Sequence, residues 1–202
     1  MSKIKGKVGT REFTEAFFRS NREYHYNFEE RAEDYLVSSG SMILDKVIGG
    51  GFGAGLHRFI GANEGGKTNE ALHVMFNMLN SMNDSKGLFV MAEGRLNNDI
   101  KKRSGIKFVY DPAEWEVGTC LVFECHVMDT MVDLLRGLLR NNPDREKFCI
   151  VIDSMDGLIT KEDLEKSSSE ARKVAGGALM TSDFLKRISL GMSKFGHMCI
   201  MI

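Results

Sequence analysis

Apolar residues along the chain recur with two alternating periods, and the alternation predicts strands and helices in turn. A short apolar run over residues 56–60 reads as a strand. Ala71, Met75, Met78, Leu79 and Met82 then fall on one face of a helix spanning residues 67–82. Residues 87–91 predict a second strand, and a short polar helix follows over residues 96–103. A third strand is expected at residues 119–124. Met131, Leu134, Leu135, Leu138 and Leu139 repeat at i, i+3, i+4, i+7 and i+8, the stripe of an amphipathic helix. Residues 148–152 are continuously apolar, as in a parallel strand covered on both faces. Phe184, Leu185, Ile188 and Met192 mark another helix, and residues 197–202 a last strand. This order implies an α/β fold, a mostly parallel central sheet with helices on both faces.

The first 36 residues stand apart. They carry seven basic and seven acidic side chains, with Phe13, Ala16 and Phe17 at helical spacing. A short amphipathic helix is expected there, in an arm whose apolar face packs on its own core or on a neighbouring subunit. Residues 37–202 form the core. A chain of 202 residues, 43% hydrophobic and 27% charged, can bury such a core without disulfides or structural metal. The formal net charge of −1 excludes a global basic field, while leaving local basic patches open. Cys120, Cys125, Cys149 and Cys199 lack C-x-x-C spacing, and three of them sit in apolar runs, which favours core packing. The five histidines share no metal-ligand spacing. Trp115 lies in a polar stretch and is expected to serve packing or an interface. The charged start predicts no leader peptide, and no apolar run reaches the length of a membrane helix. A cytoplasmic protein is expected.

Chemistry concentrates around a glycine-rich stretch. Gly61-Ala62-Asn63-Glu64-Gly65-Gly66-Lys67-Thr68 fits G-x-x-x-x-G-K-[ST], the phosphate loop or Walker A pattern, between a predicted strand and a predicted helix. Gly65 and Gly66 let the backbone wrap close to phosphate, with N–H groups turned inward. Lys67 places an ammonium against the β and γ phosphates. The Thr68 hydroxyl is a ligand for Mg²⁺, and the following helix adds its positive dipole end. Asn63 and Glu64 complete the loop. Such a site needs an acid at the end of a buried strand, and Phe148-Cys149-Ile150-Val151-Ile152-Asp153 provides it. Asp153 is expected to hold Mg²⁺ through water. ATP with Mg²⁺ is therefore the expected ligand.

Hydrolysis also needs a group that activates water. Many phosphate-loop motors place a glutamate directly after the strand-end aspartate, but Ser154 stands there. Glu93, just past the second strand, reaches the same sheet edge, because all strands of a parallel sheet end on one side. It is the expected catalytic base, alongside Lys67.

Three further features make the chain resemble the RecA family from residue 37 onward. Ser39-Gly40-Ser41-Met42-Ile43-Leu44-Asp45 and the glycine cluster ending at Gly55 are similar to the entry of that core. Ala92-Glu93 resembles its catalytic glutamate position, and Val151-Ile152-Asp153-Ser154 its Walker B run. The character is that of phage UvsX-type and other divergent recombinases. The resemblance implies a three-layer RecA-like P-loop NTPase fold. It also implies ATP hydrolysis coupled to a homo-oligomeric filament on single-stranded DNA, in homologous recombination and DNA repair. Clock ATPases and replicative helicases share the glutamate position, so a ring-shaped motor is the alternative, as is a regulatory module that holds nucleotide without turnover.

Two departures stand out. Where the family has an aspartate and a tyrosine around adenine, this chain has Asn97 and Ile100, which keeps a polar contact and loses an aromatic one. The chain also stops at Ile202, where the resemblance would continue into a switch residue and a second DNA loop. Weak hydrolysis, little stimulation by DNA, and a buried last strand that leaves apolar surface and an unpaired edge are the expectations. The first DNA loop corresponds to residues 159–177, with four basic and four acidic side chains between Lys161 and Lys173. Lys166, Arg172 and Lys173 are its candidate phosphate contacts.

Overall fold

A computed structural model describes residues 9–94, 96–165 and 176–202. The chain divides into two compact units, Met1–Arg31 and Ala32–Ile202. In the first, helix α1 (Thr10–Ser20) is followed by a single 3-10 turn, Arg22–Tyr24. Phe18, His25 and Phe28 cluster there, and the His25 Nε2 atom lies 2.8 Å from the Phe18 carbonyl oxygen. Phe13 and Phe17 stack with their rings 6.1 Å apart.

The second unit is an α/β sandwich. Its elements in chain order are α2 (Met42–Val47), β1 (Gly55–Arg58), α3 (Lys67–Ser81), β2 (Ser85–Met91), α4 (Asn98–Ser104), β3 (Lys107–Val109), β4 (Thr119–Glu124), α5 (Met128–Arg140), β5 (Lys147–Asp153), α6 (Lys161–Glu165), α7 (Gly176–Phe195) and β6 (Met198–Met201). The six strands form one sheet in the order β1-β6-β5-β2-β4-β3, and every pairing is parallel. The unit includes the segment over residues 32–36. The Ala32 N–H donates to the Lys194 carbonyl at 2.9 Å, and the Tyr35 hydroxyl to the Gly196 carbonyl at 2.9 Å.

The period-2 alternation of β5 sorts its side chains onto two helix layers. Phe148, Ile150 and Ile152 face Met131, Leu135, Leu139, Phe184, Ile188 and Met192 of α5 and α7. Cys149 and Val151 face Ala71, Leu72, Met75 and Met78 of α3, with Ile100 of α4 at the margin. Buried on both faces, the strand has no polar position between Phe148 and Ile152. The four cysteines are free thiols, and Cys120, Cys149 and Cys199 are buried in the core. Burial pushes the Cys149 thiol up to about 12, so it stays protonated and acts as a small hydrophobe. Trp115 packs rather than protrudes: its indole N–H donates to the Gly87 carbonyl at 2.8 Å, and its ring lies 5.7 Å from that of Phe148.

One expectation is overturned. The last strand has no open edge, because β6 is inserted between β1 and β5 and pairs with both. Its four residues, Met198–Met201, are all buried. The strands at the margins of the described sheet are β1 and β3. Among the described residues no helix is long and apolar enough to cross a membrane. Lys166, Arg172 and Lys173 of the expected first DNA loop lie outside the described residues.

Candidate functional site

The carboxyl ends of β1, β2, β5 and β6 meet on one edge of the sheet and border a crevice of about 870 Å³. That volume suits a small-molecule ligand, and in open parallel sheets this edge is where ligands bind.

The segment between β1 and α3 forms one wall, where Gly61, Asn63, Glu64, Gly65 and Gly66 line the crevice with Lys67 and Thr68. Its turn is tight. The Gly65 N–H donates to the Ala62 carbonyl at 3.2 Å, and a Cβ on Gly65 would lie 2.9 Å from that same oxygen. A larger residue therefore forces the loop to shift. Glu64 and Gly66 both have positive φ, 58° and 85°, and Gly66 caps the fifteen-residue helix α3. Left-handed residues in such a turn gather backbone N–H groups on one side, a concavity suited to anions. The first turn of α3 adds N–H groups without intrahelical partners and the positive end of the helix dipole.

Side chains complete the arrangement. The Lys67 ammonium folds back on its own loop and donates to the Gly61 and Ala62 carbonyls at 2.9 and 2.8 Å. The Thr68 hydroxyl donates across the crevice to Asp153 Oδ2 at 2.8 Å. Glu93 arrives by strand register: Met91 of β2 pairs with Asp153 of β5, so two residues later the chain still skirts the same edge. There the Ser154 hydroxyl donates to Glu93 Oε1. The Asp153–Ser154 peptide is cis.

The opposite wall belongs to the start of α4. Asn97 lines the crevice, yet its Oδ1 caps the helix by accepting the Ile100 N–H at 2.8 Å. A polar contact to a ligand from Asn97 would therefore come from its Nδ2. Leu96 and Ile100 also line this wall and offer aliphatic packing.

The crevice thus brings together all ten residues singled out by sequence: the loop positions, Glu93, Asn97 and Asp153. It also includes Arg58, Asp156 and Ile202, which sequence reasoning did not anticipate. Arg58 and Asp156 each sit within three residues of a recognised motif, a proximity that could have flagged them. Ile202 follows from the insertion of β6 beside β5, which no local pattern announces. The Ser154–Glu93 contact was likewise unforeseen. Chemically, the site combines a tight glycine-rich loop at a helix N-terminus, an ammonium held on two loop carbonyls, a hydroxyl paired with a carboxylate, and a second carboxylate held by a hydroxyl. Comparison with protein-family models finds no match, and neither does a search of curated proteins.

Proposed function

We propose that the crevice binds ATP with Mg²⁺ and that the chain is an ATP hydrolase with a RecA-like core. One observation carries the reading: Lys67, Thr68, Asp153 and Glu93 meet on a single sheet edge beside a tight glycine loop, although Thr68 and Asp153 alone are 85 residues apart. The donor set fits the ligand. Loop N–H groups and Lys67 would hold the phosphates, Lys67 exchanging two neutral carbonyls for charged oxygens. The Thr68 proton is already directed at Asp153, which leaves the lone pairs of Oγ1 for a cation. Asp153 would act on that ion through water. Mg²⁺ supplies charge neutralisation at the phosphate oxygens when bound. Glu93 takes the proton of the attacking water, and Leu96 and Ile100 pack against the base. An aliphatic wall of this kind discriminates poorly among bases.

The RecA-like assignment rests on the resemblance from residue 37 onward, together with an all-parallel sheet that carries the loop, the strand-end aspartate and Glu93 on one edge. With it come single-stranded DNA and further copies of the chain as partners, and homologous recombination and repair as the role. Glu93→Gln tests the chemistry: nucleotide binding should stay nearly intact while hydrolysis falls by roughly 10²-fold, the scale of losing a general base. Hydrolysis at the parent rate would remove Glu93 from the mechanism. Negative-stain imaging with ATP and single-stranded DNA tests the assembly. Filaments support the recombinase reading, and closed rings would replace it with a ring motor.

A further inference from the structure

Glu93 sits in an exposed position past the end of β2, where a glutamate ordinarily samples several rotamers. Here one short segment holds it from one side. The Ser154 hydroxyl donates to its Oε1. Three residues on, Gly157 closes over the same side chain: a Cβ there would lie 2.7 Å from Glu93 Cγ, 3.2 Å from Ala92 Cβ and 3.3 Å from Glu93 Oε1. Gly157 has an ordinary φ, so backbone conformation does not demand glycine at this position. Space does. The turn that joins the two, Met155–Gly157, is pinned by the Met155 N–H donating to the Ile202 carbonyl at 2.9 Å and by Met155 itself being buried. Ser154 and Gly157 therefore reach Glu93 from an anchored support.

We propose that Ser154 and Gly157 form a clamp that positions the Glu93 carboxylate for catalysis. This rests on the reading of Glu93 as the base. Ser154 fixes one carboxylate oxygen by hydrogen bonding, and Gly157, by lacking a side chain, leaves room for Glu93 Cγ in the position that meets that hydroxyl. Neither residue takes or gives a proton in the reaction. Both are positioning residues, and their effect should appear in turnover rather than in ligand affinity. The clamp also gives a physical reason for serine after the strand-end aspartate, where many phosphate-loop motors carry the glutamate itself: in this chain the base comes from β2, and the position after Asp153 supplies its support.

The test is a set of variants of the full chain, assayed for Mg-ATP binding by calorimetry and for steady-state hydrolysis. Ser154→Ala is expected to lower kcat about tenfold with Kd for Mg-ATP unchanged, the scale of one hydrogen bond to a charged group. Ser154→Thr, which keeps the hydroxyl, should restore most of the rate. Gly157→Ala should lower kcat without changing Kd, because its methyl displaces Glu93. In a Glu93→Gln background, Ser154→Ala should cost little more, since residues that act as a unit are strongly non-additive. Parent kcat in both Ser154→Ala and Gly157→Ala would overturn the clamp while leaving Glu93 in place. Equal losses from Ser154→Ala with and without Glu93 would overturn it too, by assigning Ser154 a separate role. Parent kcat in Glu93→Gln alone would overturn the clamp together with the reading beneath it.

Discussion

Thr68 and Asp153 meet across the crevice at 2.8 Å, and the direction of that hydrogen bond decides what a metal would find. A threonine hydroxyl has one proton and two lone pairs, and here the proton is committed to the carboxylate. Asp153 thus orients Thr68 and would also contribute negative charge beside the proposed ion. Asp153→Asn keeps the size and one carbonyl oxygen able to accept from Thr68, but removes the charge. The Mg²⁺ concentration for half-maximal ATP hydrolysis should rise about tenfold, in line with losing one charge-assisted interaction. An unchanged metal requirement would exclude Asp153 from the surroundings of the ion. Lys67 poses a different question. Its ammonium now serves two loop carbonyls, so phosphate must compete for it, and the competition favours the charged oxygens.

Among the elements, those with a long and regular burial pattern were legible before the structure. Helix α5 buries Met131, Val132, Leu135 and Leu139, and β5 appears as one continuous apolar run. Two short elements, α2 and β3, were not. The apolar residues Met42, Ile43 and Val47 of α2 are all exposed, at 88%, 80% and 77%, so they draw no buried face. The three residues of β3 are too few to show a period. Placement within the sheet was also illegible, because it depends on long-range pairing. Strand β6 shows this, being interior rather than at an edge, and it carries a test of its own. His197, next to its first residue, is fully buried, with Nδ1 accepting the Phe148 N–H at 3.1 Å and its ring 4.9 Å from that of Phe148. Burial lowers its pKa from 6.5 to about 4. Between those values the unfolded chain takes up a proton that the native state refuses. The stability from neutral His197 is therefore complete above about pH 6.5 and is lost as pH falls toward about 4, by about 3 kcal/mol in all. His197→Asn can still accept from Phe148 and does not titrate. Urea unfolding at pH 7 and pH 5 should show the parent losing roughly 2 kcal/mol more than the variant. Equal losses would place the acid sensitivity elsewhere.

At the scale of the whole molecule, the sheet is what turns a local motif into a site. The loop pattern and the strand-end aspartate can each be read from the chain alone, since each depends on a few adjacent residues. Their meeting depends on strand order. Placing β2 beside β5 sets Glu93 next to Asp153 and Ser154, and inserting β6 between β1 and β5 brings Ile202 to the crevice. The parallel direction of all six strands puts these ends on one side, so a single crevice collects the loop, the two carboxylates and the aliphatic wall. If that crevice holds Mg-ATP, its affinity depends on the one lysine of the loop. Calorimetric titration of the parent and of Lys67→Ala with Mg-ATP measures this directly. Binding by the parent, weakened roughly 10- to 100-fold in the variant, is the result predicted from losing a charge-assisted contact to phosphate. The same affinity in both proteins would contradict the account.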